Sequence, residues 1–257
     1  MYFDLDTLIL DAAQALCIAL PAAGVPAVLL RLGGGGWALI APVSLIGTLV
    51  AIQVAPSSAD VLTWVALLLV PPGCALALGW AMHGARPWLA LLTIPLLIVA
   101  FIEPEGPVGR AARIVLIVGS TATAGRLLAG GAPLPLLKLG VIAMAAIDAY
   151  VVLGSHFDQQ FASFDAANPG PGLPQLQLAE VGNVATDYGD YFVAGLVGAI
   201  LAAERGPQLA AAVVMLPVAE AWNQLFLVVD SLPNTTAPAL VLIGTEVWRF
   251  RLRRAIP

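Results

Sequence analysis

Charge is what this chain has least of. Only 11% of its 257 residues are Asp, Glu, Lys or Arg, while 60% are hydrophobic. A soluble domain carries about 25% charged residues, so this balance excludes an ordinary globular protein, and no nucleic-acid partner is expected. Lysine occurs once, at Lys138, among eleven basic residues. With abundant Ala, Gly, Pro and Arg, that scarcity points to a GC-rich, prokaryotic source. There are two cysteines, Cys17 and Cys74. Both lie inside apolar runs, which favours packing over a disulfide. The two histidines, His83 and His156, form no His-Glu-x-x-His sequence, which excludes the common zinc-protease pattern. Ser155 and His156 are adjacent, which is not serine-protease geometry. No metal or cofactor is expected. The start, Met1-Tyr2-Phe3-Asp4-Leu5-Asp6, is acidic where a cleaved signal peptide would be basic, so the first apolar run is expected to be retained. No internal repeat is evident.

What the chain has in abundance is long apolar runs. A spanning helix needs about 20 mostly apolar residues. Under that window the sequence predicts nine spans, at 7–30, 36–55, 60–82, 86–102, 108–129, 133–154, 184–203, 207–229 and 237–252. The fold class is therefore an all-α polytopic membrane protein in contact with the lipid bilayer. Gly33 to Gly36, Pro56-Ser57-Ser58, Glu103 to Pro107, Gly130 to Pro133, Gly206-Pro207 and Pro233-Asn234 punctuate the runs. Pro21, Pro26, Pro71, Pro72 and Pro95 predict kinks. The fifth span is the weakest, since it carries Arg110 and Arg113 near its start. Basic residues collect in the cytoplasm. An outside N-terminus puts Arg31, Arg86, Arg126, Lys138, Arg205, Arg249, Arg251, Arg253 and Arg254 inside and only Arg110 and Arg113 outside. The expected localisation is a prokaryotic plasma membrane, multi-pass, with the C-terminus in the cytoplasm. Arg249 to Arg254 would anchor to anionic lipid head groups.

One connection is long, about 155–183, and such loops tend to be lids, binding loops or disordered linkers. Within it Leu173-Pro174-Gln175-Leu176-Gln177-Leu178 alternates apolar and polar residues, which predicts a short strand. Asp148 precedes the loop and Asp190 follows it. Ionisable groups inside membrane helices are costly and rare, and each is a functional candidate by default. Antiparallel neighbours joined by one loop would hold these two at similar depth. Two close carboxylates cannot easily both ionise and share one proton. One then acts as base toward a water and the other as acid toward a carbonyl.

Ile147-Asp148, Asp187-Tyr188-Gly189-Asp190 and Pro238-Ala239-Leu240 stand in the order, and on the expected spans six, seven and nine, of the presenilin and signal peptide peptidase family. The chain resembles that family of intramembrane aspartyl proteases, and its microbial members most. The resemblance implies a presenilin-like fold, with residues 1–132 as a scaffold of five helices and 133–257 as the catalytic part. It implies catalytic roles for Asp148 and Asp190. Gly189 would let a substrate backbone approach, and Pro238, Ala239 and Leu240 would line the site opposite the aspartates. The expected partner is a transmembrane helical substrate. The chain departs from the pattern twice. Ile147 stands where the family has tyrosine, with Tyr150 two residues beyond Asp148. Asp187 replaces the first glycine, which makes it a candidate modulator by like-charge repulsion or a group standing in the outer water.

The remaining polar positions have plainer readings. Glu220, Asn223 and Glu246 would bridge helices or form a polar network near the site. Ala194 and Gly198, with Gly195 alongside, form a small-residue step that suits close helix packing. Asn234-Thr235-Thr236 is a glycosylation sequon close to the membrane. Intramembrane carboxylates also serve proton and ion relays, so a coupled transporter is the competing function. A catalytically inactive binder of membrane segments is the third.

Overall fold

The structure is a computed structural model that describes residues 4–26, 33–229 and 231–255. Arg31 and Asp230, the opening Met1-Tyr2-Phe3 and the end of the first expected span lie outside the described residues. A helix occupies each of the nine expected apolar ranges. In chain order they are α1 (Leu5–Ala19), α2 (Ile40–Val54), α3 (Ser58–Leu76), α4 (Thr93–Ile102), α5 (Pro107–Gly131) and α6 (Leu134–Leu153), then, after the long connection, three more described below. A 3-10 turn, Gly35–Leu39, leads into α2, and another, Pro87–Leu92, leads into α4. A π turn, Ala77–Ala81, ends α3 beyond the consecutive prolines Pro71 and Pro72. Among the described residues, five segments are long and apolar enough to cross a membrane by length and composition: Gly35–Val54, Ser58–Ala81, Pro107–Gly131, Leu134–Leu153 and Gln208–Leu227.

The first expected span is shorter than its apolar run. Asp4 caps α1 by accepting the backbone N–H of Asp6, which supplies a partner to one orphan donor of the first turn. The helix stops at Ala19, eleven residues before the run does. Pro21 has no N–H to continue the ladder and instead forms an isolated bridge with Met82. Gly24 then turns the chain with φ +87°.

The long connection is not a structureless linker. It holds a short helix, α7 (Asp158–Ala166), and a hairpin, β1 (Leu178–Val181) with β2 (Val184–Asp187). The strands pair antiparallel, Leu178 opposite Asp187 and Val181 opposite Val184. The expected strand Leu173–Leu178 is thus displaced. Only Leu178 belongs to β1, because Pro174 cannot donate to a ladder and the Gln175 and Gln177 side chains turn back to the carbonyl of Ala167. The hairpin turn uses Gly182, at φ +57°. A Cβ there would meet the Asp6 carboxylate, with its carbon 2.6 Å away.

The last three helices are α8 (Tyr188–Ala203), α9 (Gln208–Asn223) and α10 (Thr236–Ala255). Residues 184–187 are strand, so the expected seventh span shortens to the 16 residues of α8. Every residue of α8 from Tyr191 to Ala202 is buried. A helix apolar all round belongs in the centre of a bundle, and α8 packs against α1, α5, α6, α9 and α10. One hydrophobic core therefore runs through both the 1–132 and the 133–257 ranges. The small residues of α8 make this possible. A Cβ on Gly195 would lie 2.7 Å from the carbonyl oxygen of Thr121, and one on Gly198 would lie 2.7 Å from the Cα of Ile18. We expect Gly198→Leu to force α1 and α8 apart and to destabilise the fold by about 1–3 kcal/mol or more. Thermal unfolding of the detergent-solubilised protein measures this; an unchanged transition would contradict the close α1–α8 contact.

The outside of the bundle is apolar. Leu68, Leu69, Leu91, Ile94, Leu139 and Val213 are all more than half exposed. Polar side chains lie inside, among them Asp11, Arg113, Ser120, Thr121, Asp148 and Asn223. A water-soluble protein does not leave so much contiguous apolar surface open, so the arrangement is that of a multi-pass membrane protein. Cys17 and Cys74 are free thiols.

Candidate functional site

Asp148 sits near the end of α6, and Asp190 is the third residue of α8. Each carboxylate is held at the start of a helix. Asp148 is only 6% exposed and accepts the Thr235 hydroxyl at 2.5 Å. The Thr235 backbone N–H also donates to it. Thr235 immediately precedes α10, so Asp148 faces that helix's N-terminus. Asp190 reaches back to the backbone N–H of Asp187, the N-cap residue of its own helix, and takes a second hydrogen bond from the Asn234 side chain. Helix N-termini carry a partial positive charge and unsatisfied N–H groups, so each placement favours an acid there.

Asp148 and Asp190 line one cavity of about 540 Å³ and lie within electrostatic reach of each other. Asp187 lines it too, as do Asp158 and Asp165 from α7, with Ser155, Ser231 and Asn234. None of the described residues lining it is basic. Burial, and then the neighbouring Glu180 carboxylate, push Asp165 above the usual carboxylate range. Phe161 and Asp187 also line a second cavity of about 280 Å³, where Ile40, Leu45 and Leu49 of α2 face Met144, Phe164, Gly189 and Phe192. A polar chamber thus opens beside an apolar one, with α7 bordering both.

The structure brings Asp148, Asp187 and Asp190 together. Asp187 does not stand free in outer water; it is half-buried where the two cavities adjoin. Gly189 lines the apolar cavity and not the polar one. Pro238, Ala239 and Leu240 lie apart from these two cavities. Ala239 is buried in the bundle and Leu240 is 42% exposed on its outside. The helix begins at Thr236, so it presents its leading end to the aspartates; Ser231 to Asn234 line the polar cavity and Thr235 bonds Asp148. Tyr150 is exposed and its ring lies tilted against that of His156, with centroids 4.7 Å apart.

Sequence reasoning passed over Asn234 and Thr235 as partners of the acids, although a polar pair just before an apolar run is a capping signature. It also missed Asp11. That carboxylate is buried in α1 and accepts the side-chain amide of Asn223 in α9 at 2.8 Å. An acid inside an apolar run was the available signal. Asn223 and Glu246 do bridge helices, the first to α1 and the second to Lys138 of α6.

No protein-family model, no curated protein and no solved structure matches this chain. Its chemistry must therefore be argued from the site. Two acids on neighbouring helices, in a chamber large enough for water and a peptide segment, can act as a base–acid pair on a carbonyl.

Proposed function

We propose that the chain is an intramembrane aspartyl endopeptidase of the presenilin and signal peptide peptidase type. It cleaves transmembrane segments of membrane proteins or signal peptides. The observation that carries this reading is the meeting of Asp148 and Asp190 in one polar cavity beside an apolar one. In this reading nine helices span a prokaryotic plasma membrane with the N-terminus outside. One aspartate activates a water, and the other gives its proton to the scissile carbonyl. No cofactor takes part.

The apolar cavity between α2, α6 and α8 receives the side chains of a substrate helix arriving from the lipid. By likeness to signal peptide peptidase, the substrate has its N-terminus inside. A helical peptide bond must unwind before attack, and its freed backbone groups need partners inside protein. The β2 strand, whose Ala185 and Asp187 line the polar cavity, is where an extended segment would pair.

The test is cleavage of a reporter transmembrane segment in liposomes by the purified chain. Turnover that disappears in Asp148→Ala and in Asp190→Ala supports the reading. Cleavage that survives either change excludes it. The buried Asp11–Asn223 pair favours one other reading, a proton-coupled transporter, since intramembrane acids also relay protons. Proton flux that needs Asp11 and Asp148, without peptide cleavage, would favour that function.

A further inference from the structure

Four charged side chains close a ring at the end of the bundle opposite the aspartates. Lys138 of α6 pairs with Glu204 at 2.6 Å and with Glu246 at 2.9 Å. Arg249 pairs with the other oxygen of Glu204, and with Glu246 at 3.2 Å. Glu204 follows the last residue of α8, and Glu246 and Arg249 lie on α10. Each acid thus bridges both bases, and the ring has no net charge. The side chains are only 16–39% exposed. Burial works against the charge on Glu204, but the hydrogen bonds from Lys138 and Arg249 outweigh it and hold its carboxyl below the usual range. Isolated exposed ion pairs contribute little, whereas closed networks of shielded charges contribute more.

The three helices joined by the ring are the three that build the acid site. From Lys138 to Asp148 is ten residues, about 15 Å along α6 at 1.5 Å per residue. From Asp190 to Glu204, and from Thr235 to Arg249, is fourteen residues, about 21 Å by the same rise. At the site end these helices border an open cavity and are tied by side-chain bonds, Thr235 to Asp148 and Asn234 to Asp190. A peptide entering the cavity would meet those two ties, and the ring lies about 15–21 Å further along the helices.

We propose that Lys138, Glu204, Glu246 and Arg249 are positioning residues whose ring pins α6, α8 and α10 at one end and sets how Asp148 and Asp190 face each other at the other. The site end opens to admit a substrate while the pinned end stays closed. The effect on turnover rests on the peptidase reading; the effect on helix placement does not.

The experiment uses the full-length chain in liposomes, with Cys17 and Cys74 replaced by alanine and spin labels at positions 153 and 240. Leu153 and Leu240 are exposed and lie toward the site ends of α6 and α10. Lys138→Gln opens the ring. It is expected to broaden the label-to-label distance distribution and, on the unlabelled chain, to lower kcat about tenfold with little change in KM, since small misplacements of catalytic groups are that costly. Lys138→Arg keeps the charge and is expected to restore both. The double change Glu204→Gln with Glu246→Gln removes both acids that bridge Lys138 to Arg249 and gives the same broadening, which decides the matter if Lys138→Gln does not fold. Distance distributions as narrow as the parent's in both glutamine variants would overturn the proposal. A parent that cleaves no substrate would end the peptidase reading and leave the spin-label result to decide the ring.

Discussion

Asp148→Asn and Asp190→Asn are each expected to lower cleavage of a reporter segment by about 10⁴-fold, and the double variant is expected to fall no further. Groups that act as one unit in catalysis show this non-additivity, because removing either already removes the pathway. The replacements keep the shape of the side chain. An amide at position 148 retains an oxygen to accept the Thr235 hydroxyl, and an amide at 190 retains one for Asn234. What it loses is the capacity to take and return a proton, with one of the two acceptor oxygens that each carboxylate offers its donors. Stability should move the other way or not at all. Neither carboxylate has a cationic partner among the described residues, and a buried charge without one is a burden on the fold. Acids crowded into one chamber are the kind of local strain that function tolerates and stability does not reward. Melting transitions equal to or above that of the parent, together with lost turnover, separate a catalytic role from a structural one. A double variant less active than either single one would show that the two act independently.

The parts of this site that were legible in the sequence are those with a strong one-dimensional signature. Asp148 and Asp190 stand out because a charge inside an apolar run is conspicuous, and the helices they sit on follow from run length alone. Legibility fades where the determining partner is far away in sequence. The apolar run from residue 7 reads as one long span, but helix α1 ends at Ala19, where Pro21 pairs with Met82 more than sixty positions away. The sixteen residues of α8 are too few for a lipid-exposed crossing of ordinary length. They lie out of reach of lipid, because α8 is wrapped by five other helices. The loop 155–183 has the Pro and Gly content of a linker, yet it folds because α7 can seat Phe161 and Phe164 beside α2 and the hairpin can lean on α5. Sequence marks where a helix starts only to within a few residues, and the residues that meet the acids, Asn234 and Thr235, stand just before α10, about a turn ahead of Pro-Ala-Leu.

The second large effect concerns what holds that hairpin. Glu180→Ala is expected to destabilise the protein by about 2–3 kcal/mol, somewhat less than the roughly 3–5 kcal/mol that breaking a fully buried ion pair costs. Arg113 of α5 is 1% exposed. One arm of its guanidinium meets Glu180 of β1 at 3.1 Å, another donates to the Gln175 carbonyl at 3.5 Å, and its Nε has no hydrogen-bond partner among the described residues. Removing Glu180 therefore leaves a shielded cation with one weak contact. The Glu180 side chain is 28% exposed, which places the loss below that of a fully buried pair. Arg113→Met should be milder, under about 2 kcal/mol, since an apolar side chain suits that interior and Glu180 can turn to water. The double variant should resemble Arg113→Met and not the sum of the two, and denaturation of all three measures the coupling. The consequence reaches the site because β2 runs without a break into Asp187 and α8. Hydrogen exchange over residues 175–187 should quicken in Glu180→Ala, and turnover should fall with it. A variant that melts earlier while this stretch exchanges at the parent's rate would mean that Arg113 steadies α5 and leaves the hairpin to the core beneath it.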